Sequence, residues 1–313
     1  MSANWRYQSV PLKFQLGDQT LFAPLLKLQV REVGLVEEAR AVAEPEPPAD
    51  PLELESQGFL IRSLPVSVEQ PKLTRRGGYL CYVPSQFRRY YIDLRQSFDE
   101  YKQRFSSKTR STLQRKVKKY AEHCGGSISW KAYKAVEEMP EYFRHARAIS
   151  AKTYQEKLLD AGLPDSEDFY RELESLARDN RIRAYILFDG GRPVSYLYCP
   201  VHDDVLIYQY LGYDPEYMKH SVGTVLQWLA LESLFDEGCF RLFDFTEGES
   251  DHKRLFATHG LLCANVFFLK PSLRNVILLQ GHGWTDAFSA WVGNTLDQLG
   301  LKARIRKLLR FGR

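Results

Sequence analysis

No apolar run in this 313-residue chain approaches the roughly 20 residues that a bilayer-spanning helix needs, so no membrane span is expected. The opening MSANWRYQSVPLKFQLG has no basic segment followed by an apolar one, so no signal peptide is expected and a cytoplasmic location is the default. Cysteine is sparse: five, at positions 81, 124, 199, 239 and 263, odd in number and without a C-x-x-C. That pattern points away from a disulfide framework or a zinc ribbon and toward reduced thiols. The histidines lack metal-ligand spacing, and neither a G-x-S-x-G elbow nor a Walker motif occurs. There is no internal repeat. The net charge of +4, with a pI near 8.6, suits anionic ligands but is too small to imply nucleic acid by itself.

What is present is a globular composition, 44% hydrophobic, 26% charged and 13% aromatic, enough for a substantial core and against global disorder. The length fits one large domain or two ordinary ones. Residues 5–32 read as extended segments about a Gly17-Asp18 turn, and EPEPPADP (44–51) breaks the chain. Two short strands, GFLIRSLPV and GGYLCYVP, precede a helical region from Phe98 to Glu122. Gly125-Gly126 punctuates, SISWKAY reopens a strand, and Met139–Leu159 has helical spacing. Asp165 stands where the N-cap of a further helix is expected. Within 102–119 there are eight Lys or Arg and no acid. A solvated basic face, a site for an acidic ligand, and a nucleic-acid site all remain open for it.

Residues 181–261 carry most information. RIRAYILFDGGRPVSYLYCP sets Ile182, Ala184, Ile186 and Phe188 on one face and then makes a Gly190-Gly191 hairpin. A third run, DVLIYQYLGY, leads through YDPEYMKHSVG into the apolar helix TVLQWLALESLF. The strand CFRLFDF and a short helical HKRLFATHG follow. A helix opening at Ser221 and Gly223 beside such a sheet offers free backbone N–H groups to an anion. Asp244 is anomalous between Phe243 and Phe245, since a buried carboxylate needs a partner; it reads equally as a structural anchor or as part of a site.

Four segments resemble, in the family's order, the GNAT acyltransferases and most closely their FemABX/CelD-like branch, which includes proteins of cellulose and cell-envelope biosynthesis. They are SSKTRSTLQRKVKKY (106–120), TYQEKLL around Tyr154, GYDPEYMKHSVGTVL (212–226) and FDFTEGESDHKRLFATHG (243–260). The resemblance implies an α+β fold: a mixed, mostly antiparallel sheet flanked by helices, with a smaller strand-rich N-terminal lobe, a candidate degenerate second GNAT-like lobe. The expected divisions are 1–120 for that lobe and its basic helix, 126–270 for the acyltransferase domain, and 271–313 for a helical appendage with a basic tail.

The implied activity is acyl transfer from acetyl-CoA or another acyl-CoA to an amine or hydroxyl, in envelope or exopolysaccharide biosynthesis, without a metal. An aminoacyl-tRNA-dependent transferase and a non-catalytic scaffold are the alternatives. The resemblance places the CoA pyrophosphate at Leu211, Tyr213, His220, Ser221, Val222, Gly223 and Thr224. Gly223 matches the second glycine of the family's loop, whereas Ser221 and Met218 replace its first glycine and its Arg/Gln. Phe256 stands where many relatives keep a phenolic acid, so Lys253 takes over the charge-stabilising role, with Asp244 and Glu247 as further catalytic candidates. Tyr154, Gln155, Tyr208 and Tyr210 are the candidate acceptor-pocket residues. The last two are expected to share one strand face. A glycan, peptide or small-molecule acceptor is implied, no specific nucleic acid is expected outside the tRNA alternative, and the tail from Lys302 to Arg313 offers weak contact with an anionic membrane.

Overall fold

A computed structural model describes residues 5–17, 19–35, 42–153, 156 and 162–298. They fall into two compact units, Met1–Arg88 with Leu261–Arg313, and Arg89–Gly260. The sequence reading sets breaks at 120 and 270; here residues 89–123 belong with the hairpin region, and 261–298 belong with the first 88 residues.

The first unit is strand-rich. It contains β1 (Arg6–Pro11), β2 (Phe14–Leu16), β3 (Gln19–Phe22), β4 (Leu25–Glu32), β5 (Gly58–Pro65), β6 (Leu73–Arg76), most of β7 (Tyr79–Asp93) and nearly all of β14 (His259–Leu269). β4 pairs antiparallel with β1 and parallel with β5, which pairs antiparallel with β14. The β2–β3 hairpin stands apart from that sheet. The closing helix α7 (Leu273–Gln298) packs Leu279 into a core with Phe14, Leu28, Tyr82 and Leu269.

The second unit is a mixed sheet between two helical layers. Its helices are α1 (Phe98–Gln103), α2 (Ser107–His123), α3 (Met139–Ser150), α4 (Glu167–Arg178), α5 (Val222–Glu237) and α6 (Asp251–Phe256). Its strands are the end of β7, β8 (Ser129–Tyr133), β9 (Ile182–Asp189), β10 (Arg192–His202), β11 (Val205–Ile207), β12 (Tyr210–Tyr213) and β13 (Leu242–Asp244). The order is β7-β13-β11-β10-β9-β8, with β12 also on β10. Gly190 and Gly191 both take positive φ, as a tight two-residue hairpin between right-twisted strands requires.

Both faces of β9 are covered, which is why its sequence is apolar almost throughout. Tyr185 and Leu187 join the core beneath α1, α2 and α5, while Ile182, Ala184 and Ile186 join the one beneath α3 and α4. Helix α5 is buried on most of its surface and stops at Gly238, whose left-handed backbone ends it without a Cβ clash.

Three local expectations change. The basic helical region breaks at Arg104–Ser106 because Ser106 caps a new helix by accepting from the Thr109 amide. Ser166, not Asp165, caps α4, accepting from the Phe169 amide. The run DVLIYQYLGY is two strands. Its first half pairs parallel with β13, up to Ile207 opposite Asp244, and its second half pairs only with β10, Tyr198 to Tyr210. β13 does not follow it: the pairing on that side ends with the Tyr208 amide on the Asp244 carbonyl, and Thr246 takes a left-handed φ of 60°. A gap therefore opens in the sheet beside β12.

Candidate functional site

Beside that gap lies a cavity of about 390 Å³ lined by Tyr208, Leu211 and Tyr213, by Met218 and Ser221 ahead of α5 with Val222–Thr224 in its first turn, and by Ser250, His252 and Lys253 at α6. Three sequence elements expected to cooperate therefore converge. The amides of Val222, Gly223 and Thr224 are the first of α5 and have no intrahelical acceptor, so the positive end of a 16-residue helix faces the cavity.

The capping of that helix is unusual. Ser221 precedes it with φ 53° and ψ 36°, and its hydroxyl makes no cap bond. A side chain caps from extended backbone, and the left-handed conformation carries it away from the N2 and N3 amides. The donors that a capping hydroxyl would satisfy are thus left for something else. Gly223 has a packing reason: a Cβ there would lie 3.2 Å from Leu211 and 3.4 Å from Tyr213. The glycine lets α5 sit close on β12.

Lys253 is half-buried on the opposite wall, its Nζ donating to the Glu247 carbonyl at 2.7 Å. Burial pulls its ammonium below the ordinary lysine value, and the charges of Asp244 and Glu247 oppose that pull. Beside it, His252 Nε2 lies 2.7 Å from the Oε1 of Gln227, a fully buried residue of α5. Burial first, then Lys116 and Lys253, pushes the imidazole down to about 4, so it is neutral near pH 7. The imidazole and the amide share one hydrogen bond along this contact, and Gln227 Nε2 is buried with no partner among the described residues. His252 Nδ1 has no hydrogen-bond partner among the described residues, and the residue lines the cavity.

Other expected site residues fall elsewhere. Asp244 is fully buried and paired with Arg89: Arg89 Nε reaches its two oxygens at 3.1 and 3.0 Å, and the Thr246 amide donates to Oδ1 at 2.8 Å. With both oxygens occupied it anchors β13 to β7 and is not free to accept a substrate proton. Glu247 is exposed; its carbonyl accepts from Lys253 Nζ, and its carboxylate acts on the lysine through charge. His220 turns away from the cavity to stack on His123 at 4.2 Å, with Nδ1 buried and unpartnered; burial and the neighbouring His123 lower its pKa.

Tyr208 lines the cavity, 5.3 Å from Phe245, whereas Tyr210 packs against Phe169 and Tyr198 in the other core. The break between β11 and β12 separates two tyrosines expected on one face. Phe256 is fully buried, 4.9 Å from the His252 ring, so the position of the missing phenol faces the core. Tyr154 and Gln155 lie outside the described residues.

Sequence reasoning passed over Ser250, His252, Gln227 and Arg89. For Arg89 a signal existed, since a charged residue inside the long strand YLCYVPSQFRRYYID is the complement of the anomalous Asp244. For His252 and Gln227, 25 residues apart, there was none.

A model of the family described as "Acetyltransferase (GNAT) domain" matches residues 107–254, from the start of α2 through Arg254. The fold is of GNAT type. That match covers a little under half of the chain. Among solved structures, FemX is similar at 10% identity and a TM-score of 0.48, covering 88% of this chain and 90% of that one. L-PGS from Bacillus licheniformis is similar at 13% and 0.45, covering 71% of each. A GCN5-related N-acetyltransferase from Kribbella flavida is similar at 12% and 0.34, covering 62% of each. No curated protein matches. Among the described residues no helix is long and apolar enough to cross a membrane, and no group of three or more His, Cys, Asp or Glu is placed to hold a metal ion.

Proposed function

We propose that this protein is an acyl-group transferase that moves an acyl group from a phosphate-bearing carrier to an amine or hydroxyl. The observation that carries this reading is the cavity itself, with unpartnered α5 amides on one wall and the half-buried Lys253 ammonium on the other. The amides suit the carrier's phosphates. Lys253 suits the negative charge that develops on the acyl oxygen and the leaving group. His252, neutral on the cavity lining, suits the proton that the attacking amine must lose. The bonds balance: nitrogen joins the acyl carbon, the carbon–carrier bond breaks, and the proton held on His252 passes to the departing sulfur or oxygen. No covalent enzyme intermediate is needed.

Two donors fit this chemistry. An aminoacyl-tRNA-type ester is favoured by α2, whose Lys116 lies near enough to His252, and Lys119 near enough to His220, to lower both imidazoles. A basic helix whose charge is felt at His252 suits a polyanion larger than a pyrophosphate. The departures at Met218 and Ser221 point the same way. An acyl-CoA donor is favoured by the family match and by the unpartnered amides. Either acceptor could belong to envelope or exopolysaccharide assembly, a reading that rests on the resemblance alone.

The test is a melting and turnover panel with acetyl-CoA, longer acyl-CoAs, free CoA and an aminoacylated tRNA minihelix. The true donor should raise the melting temperature, by about 2.7 kcal/mol of stabilisation at a hundredfold excess over its Kd. Lys253→Met should retain that shift while turnover falls about a hundredfold or more. No shift and no transfer with either donor class would leave a non-catalytic scaffold.

A further inference from the structure

Helix α7 closes the first unit and presents two unlike faces. Inward, Asn275, Leu279 and His282 are buried, and Asp286 pairs with Lys72 and with His282. Outward stand Leu273, Ile277, Trp284, Phe288 and Trp291, exposed by 77, 62, 77, 55 and 62%. Their spacings of four, seven, four and three residues put all five on one side of the helix. Through Trp291 no residue on that stripe carries a charge. The Phe288 and Trp291 rings stack 5.9 Å apart, so the stripe is pre-arranged.

The β2–β3 hairpin is tied to this helix by the Gly17 amide donating to Ser289 Oγ at 2.9 Å and by Phe14 against the His282 ring. It and the start of β4 expose Leu16, Leu21, Phe22 and Leu25. Nine of the 14 large hydrophobic side chains exposed among the described residues thus lie on these neighbouring segments, which marks a surface with a partner.

We propose that this face of α7 docks on an anionic phospholipid bilayer, lying in its interface and not crossing it. The aromatic content favours lipid, since tryptophan ring systems settle at headgroup level and bury their apolar edges just below it. The charge favours an anionic surface. Lys270 and Arg274 are exposed at the start of the helix, and the sequence 302–313 beyond it adds six basic residues and no acidic one. A symmetric second copy on the same face would bring two such basic sets together, which costs association energy.

The full chain is spun with sucrose-loaded vesicles of phosphatidylcholine alone and of phosphatidylcholine with phosphatidylglycerol. Binding is expected to the anionic vesicles, falling with salt, with a blue shift of tryptophan emission. Trp284→Ser with Phe288→Ser and Trp291→Ser should weaken binding at least tenfold without lowering the melting temperature, because the side chains are exposed. Should that variant fail to fold, Trp291→Ser alone carries the same test. Lys302→Gln and Arg306→Gln should each cost about fivefold. Absence of binding to anionic vesicles, or undiminished binding by the triple variant, overturns the proposal. A wild-type dimer that becomes monomeric in the triple variant, with no lipid binding, would assign the face to a second copy.

Discussion

Replacing Asp244 by asparagine keeps its shape and removes one charge from a pair that water does not reach. The side chains of Arg89 and Asp244 are 6 and 0% exposed, and the guanidinium meets both carboxylate oxygens. Burial makes such a pair a poor net source of stability, yet breaking it leaves one buried charge uncompensated, at a cost of about 3–5 kcal/mol. That is a large share of the roughly 5–15 kcal/mol by which a domain is stable. Arg89→Met should cost a similar amount, raised by the loss of its other contacts. The double variant Arg89→Met with Asp244→Leu should cost well below the sum, because no orphan charge remains. Urea unfolding followed through Trp228, which packs in the same core, measures all three. Either single variant within about 1 kcal/mol of wild type, or additivity of the two, would refute the assignment of Asp244 as an anchor. The same variant has a catalytic signature. Asp244 holds the Lys253 pKa up against burial, so Asp244→Asn should move the alkaline limb of the rate profile to lower pH.

Ser221→Gly should stabilise by about 0.5–1 kcal/mol, since it relieves a left-handed residue whose hydroxyl caps nothing; a loss of that size in thermal melts would show a capping role. Gly223→Val should cost about 1–3 kcal/mol by pushing α5 off Leu211 and Tyr213, and should weaken donor binding; an unchanged melting temperature would show that α5 can move. His145, His220, His252 and His282 are all held below the ordinary imidazole value, in each case chiefly by burial. Between those values and roughly 6.5 the unfolded chain binds more protons, so this stability is complete above about pH 6.5 and is lost as pH falls toward the folded pKa values. The urea midpoint should therefore drop from pH 7.5 to pH 5, less steeply in His252→Gln, and a flat profile would contradict the burial of these rings.

By itself the sequence determined the sheet and its helices, because strand alternation, the Gly190-Gly191 turn and the apolar run of α5 are local patterns that burial on both faces enforces. It also brought out Gly223, Ser221 and Lys253, since a helix opening after a loop and a short capped helix are legible from neighbouring residues. Only the tertiary structure decided which groups meet. Arg89 finds Asp244 across 155 positions, and His252 finds Gln227 across 25; neither distance has a sequence period. The same holds for the tyrosines: a two-residue spacing puts Tyr208 and Tyr210 on one face only if the strand continues, and β13 turns away after Asp244. The outward face of α7 has the spacing of a buried stripe. Burial is a property of what packs against a helix, so the sequence could give the stripe but not the side on which it stands.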